Sequence, residues 1–294
     1  MRDHHAARTP AGRRRLRQVL VAVLVIVAGV QFAHPAAAAA ALRPGDKYVA
    51  LGSSFASGPM IPPVADASCL RSASNYPHLV AASLKLSLTD VSCGAATTDN
   101  ILSAPQGVHP PQLTAVTPDT KLVTVTIGGN DVNYTVSNLA CGSAGARGQS
   151  CVGPIVVPGQ VDAALAALPA KMATTLQAIK HAAPHARVIV LPYLRVMPAS
   201  ASPCPPSVPI DAADLRFLVD FGQRLYTVIK QSAAAAKVDF VDSYAPKGHD
   251  ACATPARRWV EGEVPASPAF MFHPDATGMK AQAKMIVKQL RSPS

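Results

Sequence analysis

Charge is scarce in this chain: 15% of its 294 residues are Asp, Glu, Lys or Arg, and aromatic rings supply only 5%. Scarce charge does not mean disorder here, because 49% of the residues are hydrophobic, enough to build one sizeable core. A dense basic stripe is also missing. The formal charge is +10, yet six of the 27 cations (Arg2, Arg8, Arg13, Arg14, Arg15, Arg17) and one of the 17 acids (Asp3) lie near the N-terminus. Setting that segment aside leaves 21 cations against 16 acids, about +5, with no cluster suited to phosphate neutralisation. Nucleic acid is therefore not the expected partner. No CxxC and no paired Cys/His spacing is present, which argues against a zinc site.

Long apolar runs are few as well. The longest, Val19–Val30, is too short for a bilayer core, which needs roughly 20 residues. It lies between an Arg-rich segment ending at Arg17 and the Ala-rich stretch Ala36–Ala41, which offers A-x-A cleavage sites. That order is an export signal. Residues 1–40 are accordingly read as a signal peptide and 41–294 as one domain, secreted or wall-associated, monomeric and without a stable membrane span.

Six cysteines follow the signal: Cys69, Cys93, Cys141, Cys151, Cys204 and Cys252. An even count in an exported chain favours disulfides. Sequential pairing, Cys69–Cys93, Cys141–Cys151 and Cys204–Cys252, is expected because each bridge then staples one loop.

Short β-branched runs alternate with helical stretches. Strands are predicted at Tyr48–Gly52, Thr89–Ser92, Leu122–Ile127, Arg187–Pro192 and Val238–Asp242, and helices at Tyr76–Lys85, Val161–His181, Ala212–Lys237 and Asp275–Leu290. Little polar alternation marks the third and fourth strands, as suits strands covered on both faces. The fold class expected is α/β: one doubly wound domain with a five-stranded parallel sheet, order 2-1-3-4-5, and helices on both faces. Three stretches, 132–160, 196–210 and 244–271, read as irregular insertions.

Two strand ends carry candidate chemistry. The first strand runs into Gly52-Ser53-Ser54-Phe55-Ala56-Ser57-Gly58, a small-residue turn able to expose a hydroxyl and aim backbone N–H groups at one point. The third ends in Gly128-Gly129-Asn130-Asp131, where Asn130 can offer its side-chain amide. In the sheet order above, both ends flank the switch point at which ligands bind. A serine hydroxyl still needs a base. His273, held before the final helix by Pro274, is favoured over His249 in Gly248-His249-Asp250.

These blocks resemble the SGNH/GDSL hydrolase family, in particular its secreted, disulfide-bonded esterase/lipase branch. The resemblance runs from about Tyr48 to the final helix. Gly52 to Gly58 resembles the family's G-D-S-x-x-x-G block with Ser54 as nucleophile, Gly128-Gly129-Asn130-Asp131 its G-x-N-D block, and His273 its last block. Cys69–Pro77 and Gly248-His249-Asp250-Ala251-Cys252 are similar to that branch's flanking stretches. The resemblance implies hydrolysis of small-molecule or lipid esters without cofactor or metal. It implies an oxyanion hole from the Ser54 N–H, Ala95 (or Gly94) N–H and Asn130.

Departures from the pattern are specific. Ser53 stands where the family has Asp. Ala95 stands where a glycine donor is usual, and a backbone donor survives that change where φ is negative. Phe270 stands where many members have the triad's Asp, so a Ser–His dyad is expected, with a main-chain carbonyl, that of Phe270, accepting the imidazole N–H. Asp275 is expected to cap the final helix. An acidic limb near the free-imidazole value of about 6.5 is expected for activity. A carbohydrate (acetyl) esterase of the same fold and a catalytically silent secreted binding module are the alternative readings.

Overall fold

A computed structural model describes residues 41–201 and 203–292; the expected signal at 1–40 lies outside the described residues. In chain order the elements are β1 (Lys47–Gly52), α1 (Ser54–Ser57), β2 (Val64–Asp66), β3 (Arg71–Ser72), α2 (Tyr76–Leu84), β4 (Ser87–Asp90) and α3 (Thr98–Leu102). A 3-10 turn at Gln112–Ala115 leads to β5 (Leu122–Thr126), α4 (Tyr134–Gly145), α5 (Pro158–Ala182), β6 (Arg187–Val190), α6 (Ala212–Ala236), β7 (Asp239–Phe240) and α7 (Ala276–Arg291).

The main sheet has the order β4-β1-β5-β6-β7, every neighbouring pair parallel. Counting its strands along the chain gives 2-1-3-4-5, the expected order. Strands β2 and β3 form a separate antiparallel ribbon.

Side chains alternate across the sheet as strand geometry requires. Val49, Leu51, Val123, Val125, Val188 and Val190 pack with Leu168 and Met172 of α5 and Leu218 and Leu225 of α6. Tyr48, Ala50, Leu122 and Ile189 pack on the other face with Val80 of α2 and Met279 and Ile286 of α7. With both faces covered, β5 is buried at all of its positions, which explains its unbroken Leu-Val-Thr-Val-Thr character.

Several strand bounds and one insertion differ from expectation. The second sheet strand lies slightly earlier, at Ser87–Asp90, because the Asp90 carboxylate accepts from the Ser92 N–H at 3.0 Å and from its Oγ at 2.6 Å, turning the chain. The last strand is trimmed to Asp239–Phe240. Within 132–160, read as irregular, α4 forms instead. Its Ser, Thr, Asn and Gly residues are weak helix formers. Tertiary burial of Tyr134, Asn138 and Cys141 on one face, together with the Cys141–Cys151 bridge, holds it in place. All six cysteines are paired, Cys69 with Cys93, Cys141 with Cys151 and Cys204 with Cys252. Among the described residues, no helix is long and apolar enough to cross a membrane.

Candidate active site

Strands β1 and β5 run side by side in parallel, with Gly52 opposite Thr126, so their carboxyl ends open at the same place. Gly52 has φ +143°, and a Cβ there would stand 2.6 Å from the Thr126 carbonyl oxygen. Only glycine lets β1 turn so tightly against its neighbour. Buried Gln112 clamps this turn: its Oε1 accepts from the Gly52 N–H at 2.8 Å and its Nε2 donates to the Gly52 carbonyl at 3.0 Å. The Ser53 N–H donates to Thr126 at 2.9 Å, and the chain enters α1 with Ser54 as its first residue.

Ser54 Oγ lies 2.9 Å from His273 Nε2, although 219 positions separate the two residues. His273 arrives through the turn ahead of α7. Asp275 caps that helix by accepting from the Gly278 N–H at 2.7 Å. The His273 backbone is held from behind by Glu261, whose N–H donates to the His273 carbonyl at 3.0 Å. Glu261 is itself fixed by a buried ion pair with Arg258, Nη1 to Oε2 2.9 Å, and by the Ser267 hydroxyl at 2.6 Å.

The carbonyl beside the imidazole is not that of Phe270. His273 Nδ1 is 2.7 Å from the Met271 carbonyl oxygen, whereas the Phe270 carbonyl accepts the backbone N–H of His273 at 3.1 Å. Phe272, at φ +54°, reverses the chain between them and turns the Met271 carbonyl under the ring. Phe270 contributes its ring instead, edge-on to the imidazole with centroids 5.2 Å apart. With Nδ1–H donating to Met271, Nε2 carries a lone pair toward Ser54.

Ser54 and His273 are 6% and 3% exposed. Burial pushes the His273 pKa down to about 4, a shift opposed by the Met271 hydrogen bond. This value lies below the free-imidazole value of about 6.5 on which the expected acidic limb was based, because the fold buries the ring.

The donors expected around the hydroxyl differ in availability. The Gly94 N–H is taken by the Cys69 carbonyl at 2.8 Å, which removes it as an oxyanion donor. The N–H groups of Ser54 and Ala95 have no acceptor among the described residues. Ala95 has φ +63°, not the negative φ expected of an alanine at this place; the left-handed backbone is strained, but it does not remove the N–H as a donor. Asn130 Nδ2 donates one proton to the Ala96 carbonyl at 2.9 Å, and its second has no acceptor among the described residues. Asp131 ties the two segments together, accepting from the Thr98 N–H at 3.0 Å and from its Oγ1 at 2.5 Å.

The alternative residues are occupied elsewhere. His249 stacks on Trp259 with ring centroids 3.9 Å apart and bonds the Arg257 carbonyl at 2.6 Å. Asp242, a carboxylate near the end of the last predicted strand that could have approached His273 from elsewhere in the chain, accepts instead from the Tyr226 hydroxyl at 2.7 Å.

Residues 50–281 match the family described as GDSL-like lipase/acylhydrolase. The chain belongs to this family. It is similar to Lipase 2 of Streptomyces coelicolor, 36% identical over 94% of this chain and 96% of that protein. Among solved structures, it is similar to the extracellular lipase of Streptomyces rimosus, with TM-score 0.65, 27% identity, and 85% of this chain and all of that one covered. It is also similar to phospholipase A1 of Streptomyces albidoflavus, with TM-score 0.68, 25% identity, and 84% of this chain and all of that one covered. This GDSL-like chain is a carboxylic ester hydrolase.

The roles of Met271 and Gln112 carry no mark in the sequence. A backbone carbonyl leaves no residue signature, and nothing in the spacing links Gln112 to Ser54.

Proposed function

We propose that this hydrolase cleaves carboxylic esters by acyl transfer through Ser54, with His273 as general base and then general acid. The observation that carries the reading is the chain Ser54 Oγ, His273 Nε2, His273 Nδ1 and Met271 carbonyl, with contacts of 2.9 and 2.7 Å. His273 takes the Ser54 proton as Ser54 Oγ attacks the ester carbonyl carbon. The Ser54 and Ala95 N–H groups and the free Asn130 amide proton hold the tetrahedral oxyanion. Protonated His273 gives its proton to the leaving alcohol. Water then attacks the acyl-enzyme by the same route, releasing the carboxylic acid.

The Met271 carbonyl fixes the tautomer as a triad carboxylate does, but as a neutral group it stabilises imidazolium less. Lipid esters are the substrates we favour, in keeping with the names of the lipase and phospholipase A1 relatives. Residues 1–40 act in this reading as a cleaved export leader, and the mature enzyme is a monomer. The Arg-rich, apolar and Ala-rich order of that segment and the three disulfides support export. A panel of ester chain lengths and acetylated sugars, run on wild type beside Ser54→Ala, tests the reading. Acyl esters should be preferred and Ser54→Ala inert; an active Ser54→Ala variant, or a preference for acetylated sugars, would contradict it.

A further inference from the structure

The residue before Ser54 is Ser53, and it is completely buried. Ser53 Oγ lies 2.9 Å from the Tyr193 hydroxyl oxygen. That same oxygen accepts the backbone N–H of Gly129 at 2.9 Å. The phenol, the more acidic of the two hydroxyls, is the natural donor to Ser53. A neutral bridge thus runs from the residue preceding Ser54 to the residue preceding Asn130.

The sheet order makes this bridge possible. Tyr193 follows β6, which lies next to β5 and two strands from β1, so its side chain passes the end of β5 to reach the end of β1. Gly129 gives way to it: a Cβ at that position would meet the Tyr193 ring at 2.4 Å. The ring also packs against Phe55, centroids 4.6 Å apart, and Phe55 lies 5.2 Å from the His273 ring. Tyr193 therefore touches the chain neighbours of both Ser54 and Asn130.

We propose that Tyr193 is a positioning residue whose hydroxyl fixes the separation between the nucleophile Ser54 and the oxyanion donor Asn130. The proposal rests on the roles given to Ser54 and Asn130 above. Without the hydroxyl, the Gly129 N–H and Ser53 Oγ lose a buried partner, and the two strand ends are free to drift. A displacement of about 1 Å in such a site can cost on the order of 10²-fold in rate.

Kinetics of Tyr193→Phe, Asn130→Ala and the double variant, beside wild type and Ser54→Ala, test this on the full mature chain. Tyr193→Phe should lower kcat roughly 10- to 100-fold while KM stays within about threefold. If the hydroxyl works by placing Asn130, the double variant should be slowed far less than the product of the single effects. A kcat within about twofold of wild type, or effects that multiply, would overturn the inference. Should Tyr193→Phe fail to fold, Ser53→Ala opens the same bridge at its other end and should lower kcat about tenfold; an unchanged kcat there would overturn it too. Activity surviving in Ser54→Ala would instead refute the Ser54 assignment, independently of the bridge.

Discussion

The imidazole of His273 is oriented by the carbonyl of Met271, two residues before it, at 2.7 Å. This contact selects the tautomer that leaves Nε2 free for Ser54, yet it brings no negative charge to the ring. Position 270 holds a phenylalanine that packs edge-on against the same imidazole. Desolvation is thus opposed only by a neutral acceptor, and His273 stays deprotonated into acid.

Activity should therefore persist to low pH. With the His273 pKa at about 4, kcat/KM should rise through one ionisation near that value. An acidic limb near 6.5 in a pH–rate profile would show that the imidazole is hydrated as in a free side chain.

The same shift has a stability consequence of fixed sign. The folded pKa lies below the unfolded value, so between about 6.5 and 4 the unfolded chain binds the extra proton and His273 erodes stability as pH falls. The loss amounts to roughly 3 kcal/mol across that window. Denaturant unfolding of wild type and His273→Gln, compared at both ends of the window, should show wild type losing roughly 3 kcal/mol more than the variant; parallel curves would contradict it.

Asn130→Ala should keep its fold and lose about 10²- to 10³-fold in kcat, the usual effect of removing one oxyanion donor. Steady-state kinetics with a circular-dichroism melt on the same sample check both halves. A loss below about tenfold would exclude Asn130 from the oxyanion hole.

Ala95 holds a left-handed backbone, φ +63°, that favours glycine. Ala95→Gly should raise stability by about 1 kcal/mol, or roughly 2–4 °C in Tm for a domain of this size. A calorimetric decrease would mean that the alanine sits there without strain.

The Cys69–Cys93 bridge adjoins the Gly94–Ala96 segment, whose first N–H is bonded to the Cys69 carbonyl. Replacing both cysteines by serine should cost about 3 kcal/mol by loop entropy and should also lower kcat. Replacing Cys141 and Cys151 should cost stability alone. Equal kcat in the two variants, assayed well below either melting temperature, would separate the first bridge from the site.

Much of this fold was legible because it is written in side-chain type. β-Branched runs such as Leu122–Thr126 mark doubly covered strands, and Gly52 and Asn130 mark strand ends where the backbone turns. What escaped was written in the backbone or in tertiary burial. The Met271 carbonyl depends on the left-handed turn at Phe272, a conformation no phenylalanine advertises. Helix α4 forms from poor helix formers because burial of Tyr134 and Cys141 outweighs propensity. The sequence favours Ala95 over Gly94 as donor without excluding Gly94; the Cys69 carbonyl, which occupies the Gly94 N–H, does exclude it.

Covalent labelling with an alkylphosphonate ester, located by peptide mass spectrometry and timed in wild type and His273→Ala, is the most direct measurement. One phosphonyl group per chain on Ser54, attached on the order of 10²-fold or more slowly without the imidazole, is the expected result. Labelling at another residue, or an equal rate at Ser54 without His273, would contradict the dyad.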